Sequence, residues 1–432
     1  MVTLAENELI TRVEGESPLG RLMRENYWIP FGLSQNLVAG DGPTPVRLFG
    51  NCYVAFRAPD GNIGFLDERC PHRRASLVLA RAEGDGLRCI YHGWKIDVSG
   101  RVVEAPTQAV RHTQFCAGVP VVHFPVHEEA GIAWVWLGGG ETPPFPDVPF
   151  NDDYGLEMVM TISMVDANWL QGLEGGMDSA HAPILHRSVI EATLEAKGDT
   201  DTRGVEATIA APPLYETEAA SFGMSQASLR RAADDRTYVR VGHYFFPLII
   251  VVPNGYGSAT HLFCFAPVDD THHLVFFGNY GEAPLSLREV SGALEGPLPD
   301  LRNFASLRGD RANRWGQDRE LMRSGHWSGF ARSAIEEDTV VQVSMGPVVD
   351  RTKENLSSSD VAVAHARRLI LDTLAAYEAG HLPPGSARAP GGVRIPQPFD
   401  AVIDAGASWR ELHPSGARES PAPSAGGSAS PS

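Results

Sequence analysis

Two short segments concentrate ligand chemistry. Cys70 and His72 lie in CPHRRA, and nineteen residues after Cys70 the stretch CIYHGWK supplies Cys89 and His92. The pattern is C-x-H, sixteen residues, then C-x2-H. Thiolates hold iron or zinc, and imidazole suits either ion. Two chance Cys/His pairs would be a third explanation, but both fall in Gly- or Pro-containing loops between strand-like runs, where ligands gather. A structural zinc site stays open at this point, although zinc fingers usually put the histidine pair on a helix and the cysteine pair in a knuckle. Here each loop brings one cysteine and one histidine. That is what a two-iron cluster needs when two thiolates hold one iron and two imidazoles the other. Cys52, Cys116 and Cys264 sit in apolar or mixed surroundings and read as buried small hydrophobes.

A second constellation runs from Asn168 to His186, NWLQGLEGGMDSAHAPILH. It spaces Glu174, Asp178, His181 and His186 as E-x3-D-x2-H-x4-H. On a helix Asp178 and His181 would share a face, with Glu174 one turn earlier. Pro183 would stop that helix and let His186 swing back toward His181. Two histidines and one carboxylate from elsewhere form the facial triad of a non-haem iron(II) site with positions left open for oxygen. Taken alone, the segment reads more readily as a capped surface helix with solvated charges. An upstream redox cluster changes that balance, because its electron needs a destination. The segment SAIEEDTVV offers Glu336, Glu337 and Asp338 as the distant carboxylate.

The elements that must position these residues are mostly short strands. The 432 residues include 44 glycines and 32 prolines, which favour turns over a helical bundle. A net charge of −17 makes nucleic acid or an anionic membrane a poor partner and suits a cytoplasmic enzyme that docks a basic protein surface. The N-terminus lacks a basic region followed by an apolar run, so no signal peptide is expected. The longest apolar stretch, Phe245–Pro253, is too short to span a bilayer. Five cysteines in a chain of this length do not make a disulfide scaffold. Residues 1–30 read as one short amphipathic helix with a turn at Gly15–Pro18. Hairpins follow at Pro59-Asp60-Gly61 and Ser99-Gly100, and Gly131–Gly139 reads as a buried strand. Beyond GGGETPPFPDVPF the chain mixes strands (Gly204–Ala210, Tyr238–Val252, Thr260–Pro267, His273–Gly278) with helices near Trp169–Ala182 and Asp360–Glu378. The Ser/Ala/Gly/Pro-rich C-terminus is expected to be disordered, and no internal repeat is visible.

The loops CPHRRASL and CIYHGWKIDVSG resemble the cluster-binding loops of Rieske domains in ring-hydroxylating oxygenases. The likeness extends over nearly the whole chain, through YWIPFGLS, the 168–186 segment, VDDTHH and GPVVDRTKENLSSSDVAVAHARRLI. It is strongest toward the phthalate dioxygenase, phenoxybenzoate dioxygenase and aryl O-demethylase branch. One departure is HRR (His72–Arg74), where many relatives have His-Arg-Gly. The resemblance implies an α+β chain: an N-terminal helical segment (1–40) packed on the catalytic domain, a small all-β Rieske domain (41–145), a catalytic iron domain (146–410) with an antiparallel sheet of helix-grip, START-like type, and a disordered tail (411–432).

It also implies roles. Cys70, His72, Cys89 and His92 would hold a Rieske [2Fe–2S] cluster, whose neutral imidazoles raise its potential. His181, His186 and Asp338 would hold mononuclear Fe(II), with Glu337 the rival for the third place. Asp178 would link His92 of one subunit to His181 of the next, and Glu174 would tune that bridge. The branch works as trimers or stacked hexamers of α subunits and draws electrons from a flavin and [2Fe–2S] reductase fed by NADH. It uses O2 to hydroxylate or O-demethylate aromatic, often carboxylated, compounds. Arg240 and His243, alternating with apolar residues in YVRVGHYFF, are then candidates for the substrate pocket, although a plain solvent-facing arginine is the simpler reading. Two other classes remain in view. A Rieske electron carrier without catalysis would leave roughly 290 residues beyond the cluster domain without a task. A zinc-stabilised binding module would be colourless rather than red-brown.

Overall fold

A computed structural model describes residues 2–197, 212–232, 234–254, 259–282 and 309–412. The single helix expected over residues 1–30 is instead two, α1 (Leu4–Thr11) and α2 (Pro18–Asn26), followed by a strand, β1 (Trp28–Leu33). Thr3 and Glu6 close a capping box at the start of α1, and Pro18 opens α2 at a position where its missing N–H costs nothing. Pro30 cannot continue a helix. The WIPFGL segment pairs with residues about 100 positions away, a contact that local periodicity does not report.

From β1 to residue 136 the chain is mostly short strands, with one short α-helix. β2 (Thr44–Leu48), β3 (Asn51–Arg57) and β4 (Ile63–Asp67) form one antiparallel sheet, and β5 (Arg81–Glu83), β6 (Gly86–Arg88), β7 (Lys95–Asp97) and β8 (Val102–Glu104) form a meander. After α3 (His112–Ala117), β9 (Val126–Glu129) and β10 (Ile132–Trp136) complete a third sheet in the order β1-β10-β9. Val54, Phe56, Leu66, Leu87, Trp94 and Ile96 make a separate small core that includes Cys70 and Cys89.

The second half is built on one eight-stranded antiparallel sheet. Its elements in chain order are β11 (Glu157–Val165), α4 (Trp169–Met177), α5 (Ala182–Leu185), α6 (Arg187–Lys197), β12 (Leu214–Ala220), β13 (Gly223–Arg231), β14 (Thr237–Phe245), β15 (Ile249–Pro253), β16 (Thr260–Pro267), β17 (His273–Gly281), α7 (Arg319–Arg323), α8 (Ala334–Ser344), α9 (Val361–Glu378), β18 (Phe399–Ile403) and α10 (Trp409–Leu412). The strand order is β11-β17-β16-β15-β14-β13-β12, with β18 added beside β14. The strand expected over Tyr238–Val252 is two, β14 and β15, because Pro247 sits in the turn and has no N–H for a ladder. The strand expected at Gly204–Ala210 and the C-terminal tail lie outside the described residues.

Helix α4 is the scaffold for the second constellation. It lies flat on β15, β16 and β17 because Gly172 and Gly176 present no side chain to the sheet. A Cβ on Gly172 would stand 2.5 Å from His273 Nε2, and one on Gly176 would stand 3.0 Å from the Phe265 ring. Buried Asn168 caps the helix, its side chain accepting from Leu170 N–H and donating to the carbonyls of Thr11 and Asp270. Gln171 donates to the carbonyls of Gln342 and Gly346 and accepts from Val349 N–H, which ties α4 to the end of α8.

Glu174 is not at the expected bridge. Its carboxylate receives Arg351 Nε at 2.9 Å and Arg367 Nε at 2.7 Å, with both arginines buried. Arg351 continues to Asn7 of α1, and Arg367 of α9 continues to Glu354. Burial opposes the charge on Glu174, but the two guanidinium groups outweigh it and hold the carboxyl below its usual range. Glu174→Gln leaves buried Arg351 without a carboxylate among the described residues and takes one of two from Arg367. It should lower the stability of the larger domain by about 3–5 kcal/mol, read as a lower urea midpoint, and an unchanged midpoint would refute the clamp.

Candidate metal centres

The two cysteine loops are built alike. Cys70 N–H donates to Ala75 C=O and Arg74 N–H to Cys70 C=O, both within 3.0 Å. Cys89 N–H donates to Trp94 C=O and Gly93 N–H to Cys89 C=O, both at 2.9 Å. The fourth residue after each cysteine is left-handed, φ 60° at Arg74 and 73° at Gly93. Glycine takes that conformation freely, and arginine does so at a cost of about 1–2 kcal/mol. The repeat places two cysteines inward, 1% and 3% exposed, and two histidines outward with ring centroids 4.4 Å apart. Trp94 stacks on His72 at 4.5 Å and anchors its own Nε1–H on Thr107. Burial, with Cys89 alongside, pushes the Cys70 thiol up to about 11 against backbone N–H groups that favour the thiolate. A bound metal ion would turn that balance, since a coordinated thiol is deprotonated. Inner thiolates and outer imidazoles are the donor set of a histidine-ligated two-iron cluster.

Beyond α4 the expected helix over Trp169–Ala182 stops at Met177. Asp178 adopts φ −80°, ψ 110° and turns its carboxylate onto its own backbone, accepting Ala180 N–H at 2.7 Å and His181 N–H at 3.2 Å. An aspartate that offers the chain such a turn competes with the helix. Asp178 and His181 therefore meet across a turn rather than along a helical face, with His181 Nδ1 3.3 Å from Asp178 Oδ2. Pro183 does not end a helix here. It opens α5, and His186 follows that single turn.

The turn brings His181 and His186 against α8. His181 Nε2, His186 Nε2 and Asp338 Oδ1 form a triangle with edges of 3.2, 3.3 and 3.2 Å. Edges near 3 Å are those of one triangular face of an octahedron with metal–ligand bonds of about 2.1 Å. Among the described residues this is the one group of three or more His, Cys, Asp or Glu side chains close enough to share a single ion. Burial works against charge on both rings. The Asp178 and Asp338 hydrogen bonds outweigh it at His181, pushed up to about 10, and the charge and hydrogen bond of Asp338 do so at His186, pushed up to about 9. Asp338 lies far below the usual carboxylate range, its own burial overcome by the two rings. Without a metal the cluster gathers protons, and a divalent cation replaces them. Glu337 lies on the far side of His186, its Oε2 2.7 Å from Nδ1 and its Oε1 accepting from Ser328 Oγ.

Of the two substrate candidates only Arg240 faces this site. Side chains alternate along β14, so Arg240 and His243, three apart, point to opposite faces. His243 is fully buried beside Ser225 Oγ at 3.0 Å, on the face where Val239 and Val241 pack against Trp409. It is withdrawn as a substrate residue. Arg240 hydrogen-bonds Pro253 C=O and reaches Ser179 Oγ at 3.4 Å. Sequence reasoning missed Arg230 on β13, which is 1% exposed and donates to Ser179 O and Oγ at 2.8 and 3.0 Å. Its Nε has no partner, and among the described residues no carboxylate pairs with Arg230 or Arg240. Burial and then the charge of Arg240 bring Arg230 down to about 10. Only the strand register reveals this residue, since Ser228 lies opposite Arg240 and Arg230 opposite Tyr238. On the same face of the sheet as Arg240 lie His261, paired with Asn279 at 2.6 Å, and the aromatic pair Phe263–Phe277 at 4.9 Å. Burial first, then Arg240, lowers His261 to about 4 and leaves it neutral.

Comparison with known proteins agrees with this geometry. The family model for the Rieske [2Fe-2S] domain matches residues 27–123, and the one described as LigXa C-terminal domain like matches residues 135–427. The chain is 35% identical to the phthalate 4,5-dioxygenase oxygenase subunit of Pseudomonas putida, over 95% of this chain and 94% of that one. It is 34% identical to the 3-chlorobenzoate-3,4-dioxygenase oxygenase subunit of Comamonas testosteroni, over 89% and 92%. Among solved structures, dicamba monooxygenase bound to dicamba shares the fold at 18% identity and a TM-score of 0.57, covering 83% of this chain and 99% of that one. The chain belongs to the Rieske non-haem iron oxygenases, as the terminal oxygenase component, and its cofactors are a [2Fe–2S] cluster and a mononuclear iron. Among the described residues no helix is long and apolar enough to cross a membrane.

Asp338→Ala removes one corner of the triangle. The variant should lose the mononuclear iron while keeping the visible spectrum of the cluster, both read from metal analysis and absorbance. Full retention of that iron would move the carboxylate ligand elsewhere.

Proposed function

We propose that this oxygenase component acts on an aromatic carboxylate, with the triangle of His181 Nε2, His186 Nε2 and Asp338 Oδ1 as its mononuclear iron site. That triangle is the observation that carries the reading. Cys70 and Cys89 would hold one iron of the cluster and His72 and His92 the other, within a cluster domain over 41–145 that serves an iron domain over 146–410. Iron in these positions supplies electron transfer and oxygen activation. Electrons come from a separate flavin and [2Fe–2S] reductase fed by NADH.

The chain's own residues do the rest. Asp178 accepts the Nδ1 proton of His181 and so turns Nε2 toward the metal. Its side chain keeps 24% of its surface exposed, enough for the cluster histidine of a neighbouring subunit to reach it in a trimer or stacked hexamer. Tyr215 and Arg230 hold the following residue, Tyr215 Oη by accepting Ser179 N–H at 2.6 Å. On the substrate side Phe263 and Phe277 offer an aromatic wall, and Arg240, backed by Arg230, receives the carboxylate. A neutral His261 beside Asn279 adds a hydrogen-bonding edge without repelling a cation. Two arginines with no carboxylate partner among the described residues are suited to an anion that arrives with the substrate. On this reading the enzyme would work in the cytoplasm, in the breakdown of aromatic compounds.

Reduced anaerobically, the purified protein should give the rhombic EPR signal of a histidine-ligated cluster and contain about three irons per chain, two in the cluster and one mononuclear. Aromatic acids and aryl ethers would then be screened for substrate-dependent O2 uptake. Zinc without such a signal would end the reading. Asp178→Asn should keep both metals yet lose about 10–100-fold in coupled turnover, and unimpaired turnover would remove Asp178 from the electron path. Arg240→Met should raise KM for a carboxylated substrate by about 10–100-fold, the worth of a charge-assisted hydrogen bond, and leave an uncharged analogue unaffected. Equal loss on both substrates would reduce Arg240 to a structural role.

A further inference from the structure

We infer that Glu337 is a positioning residue for the metal-binding ring of His186, and that it makes this limb of the iron site the rigid one. The inference rests on reading His181, His186 and Asp338 as ligands, and concerns a residue that binds no metal itself. Glu337 and Asp338 are consecutive on α8, so their side chains leave the helix about 100° apart. The imidazole of His186 lies between them, with Nδ1 2.7 Å from Glu337 Oε2 and Nε2 3.2 Å from Asp338 Oδ1. Rotation of the ring about the Cβ–Cγ bond would break both contacts at once.

The Glu337 side chain is 0% exposed. Its second oxygen accepts from Ser328 Oγ, itself on a buried residue, so the carboxylate is fixed at both oxygens. The first turn of α8 is fixed in its turn, because Ser333 caps Glu336 N–H at 3.1 Å and Glu336 pairs with Arg332. A carboxylate can only accept at Nδ1, so the proton must sit there and the lone pair of Nε2 must face the metal. A glutamine could instead offer its amide N–H to Nδ1 and stabilise the wrong tautomer.

The other ring is held differently. Asp178 stands 3.3 Å from His181 Nδ1, keeps 24% of its side-chain surface exposed and sits on a turn rather than a helix. The two imidazoles therefore have unequal supports. The His186 limb retains the ion, and the His181 limb is free to adjust as electrons or substrate arrive.

The test uses the full chain with its cluster intact, stripped of mononuclear iron and titrated with Co(II) alone. Glu337→Gln should weaken Co(II) binding by about 10–100-fold, with an unchanged cluster spectrum as the control for folding. In the Co(II)-loaded wild type two hyperfine-shifted, exchangeable Nδ1–H resonances are expected, one slow to exchange with D2O. Glu337→Gln should shift or abolish the slow one and leave the other in place. Affinity within threefold of wild type, with both resonances retained, would overturn the inference. If Glu337→Gln fails to fold, Ser328→Ala decides, with a loss of about fivefold expected for one hydrogen bond and an unchanged affinity counting against the proposal. Asp338→Ala separates the two readings. If it binds Co(II) as wild type does, the ligand assignment fails; if it loses Co(II) while Glu337→Gln does not, the ligands stand and only the role of Glu337 falls.

Discussion

Arg351 and Arg367 close on the two oxygens of Glu174 inside the larger domain, and four separate segments meet at that carboxylate. Asn7 reaches it from α1 through Arg351, Glu354 from the approach to α9 through Arg367, and Glu174 itself belongs to the last turn of α4. Charges out of water are stable only when every one is matched, so none of these segments can shift alone. The consequence is felt four residues later, where α4 gives way to the Asp178 turn. A metal site tolerates little displacement of its donors, and the knot fixes the helix end from which both histidines are launched.

The opposite wall is supplied by α8. Its polar tie to α4 through Gln171 and its capped first turn set two carboxylates at the two nitrogens of the His186 ring. These carboxylates lie on the side of the sheet that also carries Arg230 and Arg240, which among the described residues have no carboxylate partner. On the proposed reading, that arrangement would suit a ligand with an anionic end held away from the metal and an apolar ring near it.

Much of this chemistry was legible in residue types and spacing. The two cysteine loops announce a common architecture, and the structure shows them to be hydrogen-bonded repeats of each other. The structure likewise brings His181 and His186 together with a carboxylate from the Glu336–Asp338 run. What misled was treating Glu174, Asp178 and His181 as one helical face. Helical spacing assumes that the backbone keeps its own hydrogen bonds, and Asp178 takes two of them for its side chain. His243 failed for a reason the sequence did contain, since residues three apart on a strand never share a face. The strand at Trp28–Leu33 was hidden by distance, its partner lying some hundred residues along the chain. Arg230 was hidden by register, because a buried arginine looks the same as a solvated one until its neighbour strand is known.

The two metal centres also differ in how much chain each needs. Cys70 and Cys89 are 19 residues apart, whereas His186 and Asp338 are separated by 152. Domains emerge and fold from the N-terminus during synthesis. The cluster loops are complete while the ribosome has still to make the whole eight-stranded sheet and α8. On the proposed ligands the second centre would await Asp338, 152 residues beyond His186. Maturation would then be ordered by the sequence itself: a nascent chain would be ready for an iron–sulfur cluster well before it could take up its last iron.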